Sequence, residues 1–141
     1  YAEIRGLTLK GTQKVWDSSV AAIGLLWAKN QGHDILKHYT DITYERFWRR
    51  ELDIEDPAVI VAQLREAECE VDGFVEFLHG EGRQLHDELQ EKILDAGYFG
   101  VPTYVVDGES YFGRQHLPRV RWHLGGSKGL IPDIAYDSVM R

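Results

Sequence analysis

A Val-Pro dipeptide stands directly before a run of residues that is typical of a β-strand. The segment from Tyr98 to Pro118 reads YFGVPTYVVDGESYFGRQHLP. Pro102 has no N–H to donate to a sheet, so it is expected at a strand start, an edge or a bulge. An X-Pro bond can also be cis, which would turn the main chain of Val101 outward to pair with an extended ligand. A ligand contact at Val101 and Pro102 is one interpretation, and simple shaping of the strand start is the other.

The turn that follows offers a second kind of chemistry, the binding of an anion. It reads FGRQHLP and comes just before a run with helical periodicity. The first N–H groups of a helix lack partners and lie at the positive end of its dipole, so they attract carboxylates. The main-chain amides of Arg114 and Gln115 are therefore candidates for carboxylate binding, and the Arg114 side chain adds charge at the rim.

Other residues with chemical potential are better explained by structure. Cys69 is the single cysteine, so these residues hold no CxxC pair and no internal disulfide. It lies in the acidic stretch REAECEV, which favours a semi-buried structural thiol over a reactive one. Ser18 and Ser19 are interpreted as helix-capping residues. No catalytic residue is assigned within the chain.

Composition limits the classes of partner. The 141 residues are 43% hydrophobic and 28% charged, which is ordinary for one globular domain. Sixteen Lys and Arg against 23 Asp and Glu give a net charge of −7, which argues against nucleic acid and anionic membranes as partners. Runs of roughly 18 apolar residues and a signal-like start are lacking, so we expect a cytoplasmic protein. No metal site is predicted from the histidine pairs His79 and His86 or His116 and His123.

Helical periodicity dominates the chain as far as Gly97, and five helices are predicted there. Asp17 or Ser18 caps the first, and Asp56 followed by Pro57 starts the third. The apolar positions that mark these helices are Trp16, Val20, Ile23 and Trp27; Ile35, Tyr39 and Ile42; Ile60, Leu64 and Ala67, which are predicted to point inward; Val71, Phe74, Val75 and Leu78; and Leu85, Leu89, Ile93 and Ala96.

The pattern changes after Gly97. Residues 103–106 and 109–112 are strand-like and flank Asp107-Gly108, a hairpin-turn signal. A helical stripe through Leu117, Val120 and Leu124 follows. The predicted organisation is a connection over 1–16, a helical subdomain over 17–97, the C-terminal half of a thioredoxin-like domain over 98–126, and a tail over 127–141.

GVPTYVVDGESYFG followed by LPRVRWHLGG resembles the C-terminal segment of the 2-hydroxychromene-2-carboxylate isomerase and kappa-class glutathione transferase family. That family is a DsbA-like branch of the thioredoxin superfamily. DSSVAAIGLLWA, ERFWRRELDIEDPAVI, ILDAGYFGVPT and GLIPDIAY are similar to family segments in the same order. The resemblance implies an α/β, thioredoxin-like fold of the DsbA and kappa type with a helical insertion subdomain. It also implies a glutathione-dependent isomerase or transferase that acts on a small aromatic or electrophilic molecule.

The resemblance also implies roles for the residues named above. Glutathione would be the cofactor, with its cysteinyl part on Val101 and Pro102 and its γ-glutamyl end at the turn of Arg114 and Gln115. The chain departs from the family at this turn, because Gln115 stands where an acidic residue is expected and His116 where an arginine is. Recognition of a carboxylate by the main chain survives this change, whereas recognition of the γ-glutamyl amine by an acid does not.

In the family, a first β-α-β unit carries the serine or cysteine that meets the glutathione sulfur. We expect that unit to precede Tyr1, and its strands to be supplied by further sequence or by another chain, as in a homodimer. Two alternatives stay open. A DsbA-like protein-disulfide oxidoreductase would need a CxxC pair outside these residues. A non-catalytic binding module, or an inactive fragment, would need neither that pair nor the serine.

Overall fold

The computed structural model of the chain describes residues 2–132, so most of the predicted tail lies outside the described part. Six α-helices and two strands are present among these residues, with short 3-10 helices at Glu3–Arg5 and Arg114–His116. They are α1 (Ser19–Lys29), α2 (His33–Trp48), α3 (Pro57–Glu66), α4 (Phe74–His79), α5 (Glu81–Asp95), β1 (Thr103–Val106), β2 (Glu109–Phe112) and α6 (Leu117–Leu124). The chain divides into two compact units, Tyr1–Gln90 and Glu91–Arg141, here called the helical unit and the hairpin unit.

The predicted helix starts are formed by carboxylate caps. The Asp56 side chain accepts a hydrogen bond of 2.8 Å from the Ala58 N–H, with Pro57 in the first helical position. At α1 the Asp17 carboxylate accepts from the Ser19 N–H at 2.9 Å, and this main-chain bond lowers the pKa of Asp17. The capping role predicted for Ser18 is wrong, because its side chain makes no capping hydrogen bond.

Ser19 does not cap either. It is the first residue of α1 and it is buried, so its hydroxyl faces protein rather than the free N–H groups of the helix. Arg83 of α5 donates to this hydroxyl from Nη2 at 3.1 Å. The contact ties the start of α1 to α5, because a buried hydroxyl needs a hydrogen-bond partner.

The core of the helical unit lies where α1, α2, α3 and α4 meet. Tyr39 is fully buried, and its phenol donates to the main-chain oxygen of Ala21 at 3.0 Å. Burial raises the pKa of Tyr39 well above its ordinary value, so the phenol stays protonated. The other large side chains that are fully buried are Phe74, Ile23, Ile60, Leu64 and Leu78.

Four of the apolar positions that mark the predicted helices are exposed, namely Val75, Leu85, Leu89 and Ala96. Val75 is exposed because α4 begins at Phe74 and buries Phe74, Phe77 and Leu78, whose spacing leaves position 75 on the other side. Leu85 and Leu89 are 41% and 43% exposed. Within α5 the buried residue is Gly82, so the apolar stripe of this helix is not covered by the core.

An ion pair joins α2 to α3 at the edge of this core. Arg46 donates to both carboxylate oxygens of Glu66, at 2.8 and 2.6 Å, and to Oε1 of Gln63 at 2.7 Å. The two parallel bonds fix the geometry of the guanidinium against the carboxylate. The hydrogen bonds from Arg46 lower the pKa of Glu66 below its ordinary 4.5.

Acid is therefore expected to weaken the folded state through Glu66. Since its folded pKa lies below its unfolded pKa, the stabilisation is complete above pH 4.5 and is lost as the pH falls through the folded value. The urea midpoint of the unchanged protein should drop between pH 5 and pH 3. The drop should be smaller in Glu66→Gln. Glu76→Gln on α4 is the control and should follow the unchanged protein; identical pH profiles for all three would contradict the expectation.

The predicted hairpin is confirmed in the hairpin unit. β1 and β2 pair antiparallel, with Thr103 opposite Phe112 and Val106 opposite Glu109. Asp107 and Gly108 both have positive φ, 49° and 83°, as the tight turn of a two-residue hairpin requires. On the face of the hairpin that carries Tyr111, α6 packs against the sheet, and Tyr111 is buried.

Candidate functional site

The start of β1 presents an exposed main chain. The Val101–Pro102 bond is cis, the form that the ligand-contact interpretation requires. Val101 is 90% exposed, and no hydrogen bond among the described residues involves its main chain. The Pro102 carbonyl accepts from the Gly113 N–H at 2.8 Å. This bond places the start of β1 directly beside the turn that carries Arg114.

The turn itself is held by Gln115. Gly113 has φ 100° and ψ 154°, a backbone conformation that favours glycine. The Gln115 side chain folds back over Gly113, and its Nε2 donates to the Phe112 carbonyl at 3.3 Å. Gln115, which stands where the resemblance predicts an acidic residue, therefore stabilises the turn in which it lies.

A cleft of about 700 Å³ lies between this turn and α6. Arg114 and Arg121 supply positive charge, and Leu117 and Leu124 supply apolar surface. A cleft of this composition suits a carboxylate that carries a small apolar group. Of the four predicted site residues, the structure brings Arg114 and Gln115 together in the cleft. Val101 and Pro102 lie next to the turn but do not line the cleft.

A polar network behind the turn was not predicted from the sequence. The buried Tyr111 phenol donates to Glu109 Oε2 at 2.5 Å and lies 3.1 Å from His123 Nδ1. His123 Nε2 is 3.4 Å from Asp107 Oδ2. The hydrogen bond to Glu109 is the main cause that raises the pKa of Tyr111. The available signal was weak: Glu109 and Tyr111 are two apart in a strand and so share a face.

The chain has a helical unit, followed by a cis-proline, a β-hairpin and a helix packed on that hairpin. This order of elements suggests a comparison with thioredoxin folds. A protein-family model described as the DsbA-like thioredoxin domain matches residues 3–125. The chain belongs to this family. The match confirms the predicted superfamily and fold class, while the narrower isomerase and kappa-class family stays a prediction. No curated protein sequence matches the chain.

The one cysteine of this DsbA-like domain has the properties of a structural residue. Cys69 is buried, and burial raises the pKa of its thiol, with the nearby Glu70 charge adding to the effect. A thiol in this setting is a poor nucleophile, so the burial agrees with the structural role predicted for Cys69. Within residues 2–132 there is no group of three or more His, Cys, Asp or Glu side chains that could hold a metal ion. None of the helices in this same stretch is long and apolar enough to cross a membrane.

Proposed function

We propose that this DsbA-like domain binds glutathione and is part of a glutathione-dependent isomerase or transferase that acts on a small aromatic or electrophilic substrate. The observation that carries the proposal is the cleft of Arg114, Gln115 and Arg121, whose turn is hydrogen-bonded to Pro102, the neighbour of the exposed Val101. We further propose a cytoplasmic location, where the glutathione pool keeps thiols reduced.

Glutathione has chemical groups that match each part of this site. Its carboxylates are acceptors for the guanidinium of Arg114 and for main-chain amides of the turn. Its cysteinyl part is an extended peptide unit that can pair with the free main chain of Val101. The glutathione thiol would lose its proton and add to one carbon of a substrate double bond, whose π bond breaks; the remaining single bond can rotate before the sulfur leaves again. In a transferase the thiolate would instead displace a leaving group from the electrophilic carbon. The protein group that would activate the sulfur is not assigned to any residue of the chain.

Two other functions stay open. A protein-disulfide oxidoreductase would need a reactive thiol pair outside these residues, because Cys69 is buried and burial raises the pKa of its thiol. A glutathione-dependent enzyme takes its reactive sulfur from the ligand, so it does not need a thiol from these residues. A binding module without catalysis would bind glutathione without turning over any electrophile.

Glutathione titration of the full-length protein tests the proposal by calorimetry. We expect saturable binding that weakens about tenfold or more in Arg114→Gln, because a hydrogen bond to a charged group contributes about 1.5–3 kcal/mol. Arg65→Gln is a matched control, since Arg65 is an exposed arginine of α3 in the helical unit. Absence of binding, or equal affinity in the two variants, would reject the proposed site.

A further inference from the structure

The polar network around His123 connects β2 and α6, the two elements that flank the turn of Arg114 and Gln115. Tyr111 belongs to β2, which ends just before Gly113, and His123 belongs to α6, which begins just after His116. His123 reaches Tyr111 through Nδ1 and Asp107 through Nε2. A bond between these flanks therefore fixes the ends of the turn that lies between them.

The positions of the protons follow from the chemistry of the partners. An ionised carboxylate only accepts hydrogen bonds, so the single phenol proton of Tyr111 is directed at Glu109. The 3.1 Å contact between the phenol oxygen and His123 Nδ1 is then a hydrogen bond only if Nδ1 carries a proton. A neutral ring with this proton would direct the Nε2 lone pair at the Asp107 carboxylate.

A second proton on His123 changes that last contact. The imidazolium donates from both nitrogens, to the Tyr111 phenol and towards Asp107 Oδ2 at 3.4 Å. The His123 side chain is only 18% exposed, whereas the Asp107 side chain is 84% exposed, so solvent screens this ion pair and its contribution is modest. Protonation nevertheless converts a repulsive contact into an attractive one.

Charged groups from each packed element face this network. The hairpin supplies Asp107 and Glu109, both acidic. Arg119 of α6 lies near the Tyr111 phenol and opposes the effect of Glu109 on its pKa. The ring of His116, from the short helix before α6, lies 6.1 Å from the Tyr111 ring.

We propose that His123 is a proton-dependent positioning residue: its imidazolium holds the hairpin against α6 and so fixes the turn of Arg114 and Gln115. The clasp, meaning the contacts among Asp107, Glu109, Tyr111 and His123, stands on its own geometry. Its effect on a ligand rests on the proposed glutathione function. The clasp is strongest when the His123 ring carries both protons and weaker when it carries one.

The tautomer of His123 is the first test, and it needs no ligand. Nitrogen-15 NMR of the imidazole ring in the full-length protein should show the neutral ring protonated on Nδ1. Tyr111→Phe should abolish that preference, because it removes the phenol oxygen that accepts the proton. A neutral ring protonated on Nε2 in the unchanged protein would overturn the proposal.

The second test measures affinity for S-methylglutathione, which has no thiol to titrate. Affinity should be about two- to fivefold higher at about pH 5.5 than at about pH 8. His123→Gln, which cannot gain the second proton, should make the profile flat. Asp107→Asn changes an exposed side chain, leaves His123 in place and should also flatten it. His79→Gln replaces an exposed histidine of α4 and should keep the full pH dependence.

A flat profile in the unchanged protein that binds the ligand would overturn the positioning role. A protein that binds no ligand at any pH refutes the proposed function, and the thermal unfolding midpoint then decides on the clasp. If the midpoint falls across the same pH range in the unchanged protein but not in His123→Gln, the clasp is supported. If the midpoint falls equally in the variant, the clasp is overturned.

Discussion

Replacing Gly24 by alanine is expected to lower the free energy of unfolding by about 2–4 kcal/mol. A Cβ at this position of α1 would lie 2.3 Å from Oη and 2.9 Å from Cζ of Tyr39, and 3.1 Å from Cγ2 of Ile60. Both neighbours are fully buried, so neither can move into open space. The clash would also displace the phenol from the Ala21 carbonyl. The loss is expected although alanine is intrinsically better than glycine in a helix by about 1 kcal/mol.

A double-mutant cycle in urea identifies the cause. Tyr39→Phe removes the closest atom, so Gly24→Ala should cost less in that background than in the unchanged protein. Tyr39→Phe alone is the control for the lost hydrogen bond, which contributes about 1 kcal/mol. If the two effects add to within about 0.5 kcal/mol, the contact with Tyr39 is not the origin of the destabilisation.

The elements predicted well are those whose signals are local in sequence. Asp56 and Pro57 define the start of α3 because a cap acts on N–H groups two residues away. Asp107 and Gly108 define the hairpin because only residues that tolerate positive φ make its turn. Physical causes that act over a few residues can be inferred from a few residues.

Features that depend on approach between distant segments were missed. The sequence of α1 shows Gly24 only as a weak helix position, while its reason is Tyr39 on the next helix. The stripe of Leu85 and Leu89 predicts an amphipathic helix but does not say what covers it.

At the candidate site, motif and periodicity placed Arg114 at a turn before a helix. The contact between Tyr111 and His123 exists only because α6 packs on the hairpin.

Replacing Gly113 by alanine is expected to weaken S-methylglutathione binding about tenfold or more. At φ 100° and ψ 154° an alanine is strained by about 1–3 kcal/mol, and each 1.4 kcal/mol corresponds to tenfold in affinity. Its Cβ would also lie 2.4 Å from Oε1 and 2.6 Å from Nε2 of Gln115, so that side chain must leave the Phe112 carbonyl. Because the Gly113 N–H bonds to Pro102, relaxation of the turn also shifts the start of β1.

Two further variants separate strain from collision in calorimetric titrations of the full-length protein. Gly129→Ala also places alanine at positive φ, 79°, with nothing within 4 Å of its Cβ, and should keep full affinity. Gly113→Ala combined with Gln115→Ser removes the collision but keeps the strain, so it should recover only part of the loss. Full affinity in Gly113→Ala would mean that ligand recognition does not depend on the conformation of this turn. The amides of Arg114 and Gln115 would then lose their role in binding the carboxylate, because their direction is set by the backbone at Gly113.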